Sequence, residues 1–282
     1  MGRFIPDRVW IQIKYRQWFG KFCNLKNPET YNEKLQWLKL YDHRPEYVTM
    51  VDKYAAKQFV AERIGDEYVV PVVGGPWKHF DEIDFDSLPD QFVLKTTHDC
   101  GGVVICKDKA KLDKNAAKDL LEQHLKNNYY LTNREWPYKN VEPRIFAEQY
   151  LVDHDGSDQL SDYKMFCFDG VPKLLMIASD RQKAEETKFD FYDMQGQHLD
   201  LLNGHPNADV QPECPANYKK MQELAAVLSK DYPHIRVDFY EHCGRLYLGE
   251  LTLYHWSGMV PFKPASWDKT LGEWLKLPER KR

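Results

Sequence analysis

The chain has 282 residues, enough to bury a full core and to form one large or two modest domains. Its formal net charge of -4 and pI near 6.2 supply no basic field, which argues against nucleic acid as a general partner. The six cysteines, at positions 23, 100, 106, 167, 214 and 243, form no CxxC pair and read as reduced thiols, not as a disulfide scaffold or zinc site. No run approaches about 18 apolar residues and the start lacks a signal peptide's apolar core, so a soluble, cytoplasmic protein is expected.

Near the start, Arg8, Lys14, Arg16 and Lys21 are interleaved with Trp10, Ile13, Trp18 and Phe22. This mixture leaves open a basic amphipathic helix resting on a membrane surface; the simpler reading is a packing helix with a solvated basic edge. Apolar spacing predicts helices over 32–40 and 47–64, the second stopped by Gly65 as a C-cap. Strands are expected over 68–73, 91–95 and 103–106, then a helix over 113–128 opened by Asp113. Further strands read at 144–151, 162–168 and 173–178, and an amphipathic helix at 216–230 precedes a final hairpin. Short antiparallel-looking strands mixed with helices predict the α+β class, with a hinge around 148–150.

The hairpin carries the clearest chemistry. Arg236 and Asp238 stand on its first strand, Glu250 and Thr252 on its second. A three-residue loop at 243–245 would pair His242 with Leu246 and bring Asp238 opposite Glu250, with Arg236 and Thr252 on the same face. Two carboxylates side by side repel unless a cation lies between them or one is protonated. Hard oxygens in that arrangement suit magnesium carrying nucleotide phosphates; a surface hairpin with acids turned outward fits the spacing equally. Upstream, Lys95 ends a strand, and Gly101 and Gly102 follow a polar loop that contains His98. Glycines admit phosphate close to backbone amides and the lysine adds charge, although Gly-Gly is also plain turn chemistry. The segment is neither a GxxxxGK[ST] loop nor GxGxxG, and no GxSxG or HExxH motif competes.

Taken in order, Lys95, Gly101–Gly102, Glu148 to Leu151, Asp162 with Lys164, Arg236 with Asp238, and Glu250 with Thr252 resemble the ATP-grasp enzymes. The phrasing around Asp52, Lys53 and Tyr54, the strand ending at Lys95, and Trp267–Asp268 are similar to the branch named after the teichuronopeptide biosynthesis protein TupA. The resemblance runs from about 27 to 277 and implies an ATP-grasp fold in which two α+β subdomains clamp ATP. It implies a helical region at 1–66, a subdomain with a Gly-rich lid at 67–147 and a subdomain with the metal site at 148–282. Lys95 would contact the α- and β-phosphates, Gly101 and Gly102 would close over the γ-phosphate, and Glu148 would accept the adenine amino group. The backbone of Gln149, Tyr150 and Leu151 would meet the ring edge, and Asp162 would hold the ribose. Asp238 and Glu250 would bind magnesium, with Thr252 replacing the usual Asn. Lys164, Arg181 and Arg236 would serve the transferring phosphoryl group.

The implied activity is an ATP- and Mg-dependent carboxylate–amine ligase working through an acyl phosphate in surface polysaccharide biosynthesis, for a capsule, a teichuronopeptide-like polymer or O-antigen. The carboxylate would belong to a sugar uronic acid or amino acid, and the amine to an amino acid or amino alcohol. Alternatives are a kinase of a glycan or small-molecule hydroxyl and a non-catalytic nucleotide-binding module. A glycosyltransferase reading has only Asp84 and Asp86 as a DxD match, in an expected surface loop.

Overall fold

In the computed structural model, residues 4–151, 162–179 and 187–280 are described. The chain opens with helices α1 (Asp7–Phe19), α2 (Tyr31–Tyr41), α3 (Glu46–Val51) and α4 (Ala55–Ile64). The start of α2 is set by a capping box, in which Thr30 Oγ1 accepts from Glu33 N and Glu33 reaches back to the Thr30 N–H. A single helix over 47–64 does not form. Asp52 leaves the helical region at ψ 110° and its carboxylate accepts from the backbone N–H groups of Tyr54 and Ala55, which caps α4 and separates it from α3.

Strands β1 (Val72–Trp77), β2 (Phe92–Thr96) and β3 (Val103–Cys106) are followed by α5 (Lys114–Leu125), α6 (Tyr130–Asn133) and β4 (Ile145–Gln149). They form an antiparallel sheet of order β1-β4-β2-β3, with α5 on one face over Phe92, Leu94 and Ile145. Asp113 caps α5, as expected from its sequence. The strand expected at 68–73 instead begins at Val72, because Pro71 has no N–H and the preceding residues cross between sheets; Val69 bridges to Leu248 whereas Val72 pairs with Glu148.

The second half contains β5 (Asp162–Phe168), β6 (Val171–Ser179), β7 (Lys188–Tyr192), β8 (Leu202–Asn203), α7 (Tyr218–Ser229), β9 (Ile235–His242), β10 (Arg245–Thr252), β11 (Phe262–Lys263) and α8 (Ser266–Trp274). Its main sheet has the order β10-β9-β5-β6-β7, and β8 pairs with β11. Helix α7 lies against this sheet, burying Met221, Leu224 and Leu228. Strand β7 falls between the elements expected at 173–178 and 216–230, where the sequence predicts none.

The β9–β10 hairpin corrects the expected loop. His242 pairs with Arg245, not Leu246, so the turn is the two residues Cys243 and Gly244, both left-handed at φ 53° and 72°, the geometry of a type I′ turn. The turn is one residue shorter than expected, and a bulge between Leu248 and Glu250 inserts one residue further on. The shifts cancel. Asp238 therefore faces Glu250, and Arg236 faces Thr252. Gly249 occupies the bulge, where a Cβ would lie 2.7 Å from the Tyr240 ring. Gly249→Val is expected to destabilise by about 1–3 kcal/mol, read as a lower urea midpoint at unchanged m; an unaltered midpoint would show that the bulge tolerates a side chain.

Candidate functional site

Antiparallel pairing aligns Lys164, Asp238 and Glu250 across β5, β9 and β10, and Arg236 opposite Thr252 two pairs further along, on the same face. The side chains then neutralise one another. Arg236 donates from Nε and Nη2 to the two oxygens of Asp238, each at 2.7 Å, and Lys164 Nζ donates to Asp238 at 2.7 Å and to Asp162 at 2.6 Å. Burial alone would raise the Asp238 pKa, but Arg236 and then Lys164 outweigh it and hold the carboxyl below its ordinary value. Burial would likewise lower Arg236, and the Asp238 charge more than compensates. Arg236 also donates to Thr252 Oγ1 (2.9 Å) and His255 Nδ1 (2.6 Å). Since arginine only donates, His255 Nδ1 is the acceptor and its Nε2–H donates to Asn203 Oδ1 at 2.8 Å. Burial, followed by the Arg236 charge, keeps His255 neutral.

Between the two sheets lies a cavity of about 760 Å³. Lys95, Gly101 and Glu148 through Leu151 line it from the first sheet and its connections, and Glu250 from the second. The structure thus brings seven of the sequence-predicted residues together. Asp162, Lys164, Arg236, Asp238 and Thr252 do not line the cavity but form the ion-pair network around Glu250's neighbour Asp238. Gly102 packs against Thr96, where a Cβ would be 2.0 Å from Oγ1, while Gly101 takes the left-handed φ of +97°. Arg181 lies outside the described residues. His98 is buried and bonds the Asn127 carbonyl.

Two lining lysines were not assigned a role from the sequence. Lys53 and Lys57 both face the cavity. Lys53 Nζ donates to the Asp99 carbonyl, and Lys57 pairs with Glu148 at 2.9 Å beside the Lys95–Glu148 pair. Their spacing of four residues, just after Asp52, is the one signal that could have found them. Against the pull of burial, Lys95 and then Lys57 hold the Glu148 carboxyl below its ordinary pKa. Glu250 differs from the other acids: among the described residues no hydrogen bond or ion pair engages its carboxylate.

A buried ion pair is destabilising when one partner is removed and close to neutral when both are replaced. Arg236→Met is expected to cost about 3–5 kcal/mol, and adding Asp238→Leu to recover most of it, measured by urea unfolding. Losses that simply add in the double variant would show that the two do not act as a pair.

No curated protein matches the chain. Among solved structures, D-alanine–D-alanine ligase from Helicobacter pylori is 15% identical with a TM-score of 0.45, covering 89% of this chain and 68% of that one. The Bacillus anthracis D-alanine–D-alanine ligase complexed with ATP is 15% identical with a TM-score of 0.41, covering 73% and 54%. The ATP-grasp ligase PsnB, complexed with minimal precursor, Mg and ADP, is 11% identical with a TM-score of 0.40, covering 79% and 57%. The chain thus spans little more than half the length of the latter two. Residues 33–276 match the family described as TupA-like ATPgrasp, and the chain belongs to that family.

Proposed function

We propose that the protein is an ATP- and magnesium-dependent carboxylate–amine ligase. The observation that carries this reading is one cavity holding lysines from one side and, from the other, Glu250, a carboxylate without an ion pair among the described residues. Phosphoryl transfer needs position and charge cancellation more than a protein nucleophile, and these residue types supply both.

The donor set fits a divalent ion. Arg236 and Lys164 engage Asp238, and Lys164 also engages Asp162, whereas among the described residues Glu250 has no ion pair and opens to the cavity. Among the described residues no cluster of three His, Cys, Asp or Glu could bind a metal alone. Magnesium held by one or two carboxylates, with nucleotide phosphates completing its shell, meets that condition and would supply charge cancellation on the transferring group. Glu250 would be its principal ligand. Asp238 and Thr252, both engaged by Arg236, would contribute only where they share their oxygens with that guanidinium.

In this reading Lys95 and Lys53 bind the phosphates, Gly101 and Gly102 belong to the covering loop, and Glu148 accepts the adenine amino group. The backbone of Gln149, Tyr150 and Leu151 meets the ring edge, and Asp162 the ribose. Lys164, Arg236 and Arg181 balance charge on the phosphoryl group. An acceptor carboxylate oxygen attacks the γ-phosphorus and ADP leaves; an amine then attacks the acyl carbon and phosphate leaves. The acceptor would be a sugar uronic acid or an amino acid, in surface polysaccharide assembly.

Turnover is expected to yield ADP, phosphate and an amide, and Glu250→Gln to abolish it while the fold is retained. ADP with a phosphorylated hydroxyl acceptor would make the protein a kinase, and wild-type turnover in Glu250→Gln would remove the metal assignment. We further infer peripheral contact with anionic membrane. Helix α1 buries Ile11 and Tyr15, yet leaves Val9, Ile13 and Trp18 exposed beside Arg8 and Arg16. No described helix is long and apolar enough to cross a membrane. Co-sedimentation with anionic but not neutral vesicles is expected, weakened by Ile13→Asp and by salt; equal sedimentation with both, or none, would reject the contact.

A further inference from the structure

Both carboxylate oxygens of Glu148 are taken, Oε1 by Lys95 and Oε2 by Lys57. The two lysines are not equivalent. Lys95 stands near the end of β2, one strand residue before the glycine-containing loop, and nucleotide phosphates would draw it away from Glu148. Lys57 has two further attachments: its Nζ donates to the Val70 carbonyl at 2.7 Å and lies 5.7 Å from the centre of the Phe146 ring. A lysine held from three directions keeps its place when a ligand enters. Once Lys95 turns to phosphate, Lys57 is the cation left beside a carboxylate whose side chain is only 9% exposed.

The charge on Glu148 decides which base it can recognise. An ionised carboxylate only accepts hydrogen bonds, so it welcomes the 6-amino group of adenine and repels the 6-carbonyl of hypoxanthine or guanine. A buried carboxyl without a counter-ion favours its protonated form, which can donate to that carbonyl. We propose that Lys57 is a specificity-determining, positioning residue: it fixes Glu148 as an anion in the cavity and thereby selects a 6-aminopurine nucleotide over a 6-oxopurine one. The inference rests on Glu148 as the adenine contact. Lys57 itself acts through Glu148 and need not touch the nucleotide.

The test is calorimetric titration of the full chain with ATP and with ITP, which differ at the purine 6-position, in the presence of magnesium. The wild type should prefer ATP by about tenfold to a hundredfold, the range of one charge-assisted hydrogen bond. Lys57→Met should collapse that preference by about tenfold or more, and Lys57→Arg should restore it. Lys57→Gln, which keeps a donor for Val70 but no charge, should behave like Lys57→Met, and serves in its place should the methionine variant not fold. Lys95→Ala should weaken both nucleotides in parallel and leave their ratio intact. Equal losses for ATP and ITP in Lys57→Gln, or an unchanged ratio, would overturn the proposal and leave Lys57 as a brace between α4 and Val70. A wild type that binds ATP and ITP equally would remove Glu148 from base recognition, and one that binds neither would overturn the nucleotide reading as well.

Discussion

One buried carboxylate sets the terms for the second sheet. Asp238 lies at the centre of β9 with almost no access to water, and hydration lost there must be replaced by protein donors. The Arg236 fork and the Lys164 ammonium replace it. Arg236 is itself buried, so its remaining donors need acceptors, which Thr252 and His255 provide. His255 then needs Asn203, and Asn203 in turn donates to the carbonyls of Val260 and Pro261. The demand for satisfaction thus passes from the middle of the five-stranded sheet to the small β8–β11 pair, and a break at any link leaves a polar group unpaired.

The turn after β10 lies on this route and is backbone-strained. Trp256, Ser257 and Gly258 are consecutively left-handed, at φ 46°, 55° and 61°. Side chains from α2 hold them there. Gln36 Nε2 donates to the carbonyls of Ser257 and Gly258, and Lys39 Nζ donates to both the carbonyl and hydroxyl of Ser257. The Ser257 hydroxyl donates to Glu135 at 2.5 Å. Burial lowers the Lys39 pKa to about 8 although Glu135 opposes the shift. A helix that looks merely amphipathic in the sequence is therefore the brace of a strained turn, over-determining a conformation that two non-glycine residues would otherwise avoid. Trp256 remains 42% exposed while His255 and Ser257 on either side are buried.

The loop between β2 and β3 is tied down from two sides. Asp99 accepts from Thr96 Oγ1 at 2.5 Å and Asn127 Nδ2 at 3.2 Å, and pairs with His124 on α5. Lys53 Nζ donates to the Asp99 carbonyl from the junction of α3 and α4. Under the proposed reading, phosphates compete for Lys53 and Lys95 together. Their arrival would loosen the loop from the α3–α4 junction and free one oxygen of Glu148, which connects base recognition to loop position through two lysines.

The sequence determined the α+β class and most strand positions, because period-2 alternation and helix caps such as Asp113 are local properties of the chain. It also determined that Asp238 faces Glu250, although by a route the structure revises: a shorter turn and a bulge cancel, so the same residues meet. The split at Asp52 and the displaced start of β1 were not legible, since they depend on backbone groups answered from elsewhere in the chain. Nor were the partners of the charged residues. Nothing in the local pattern says that Lys57 and Lys95 converge on Glu148, or that Lys164 bridges Asp162 and Asp238. Spacing fixes which face a side chain takes, whereas a long flexible lysine chooses its carboxylate only after sheets and helices have packed and burial has made the unpaired charge costly.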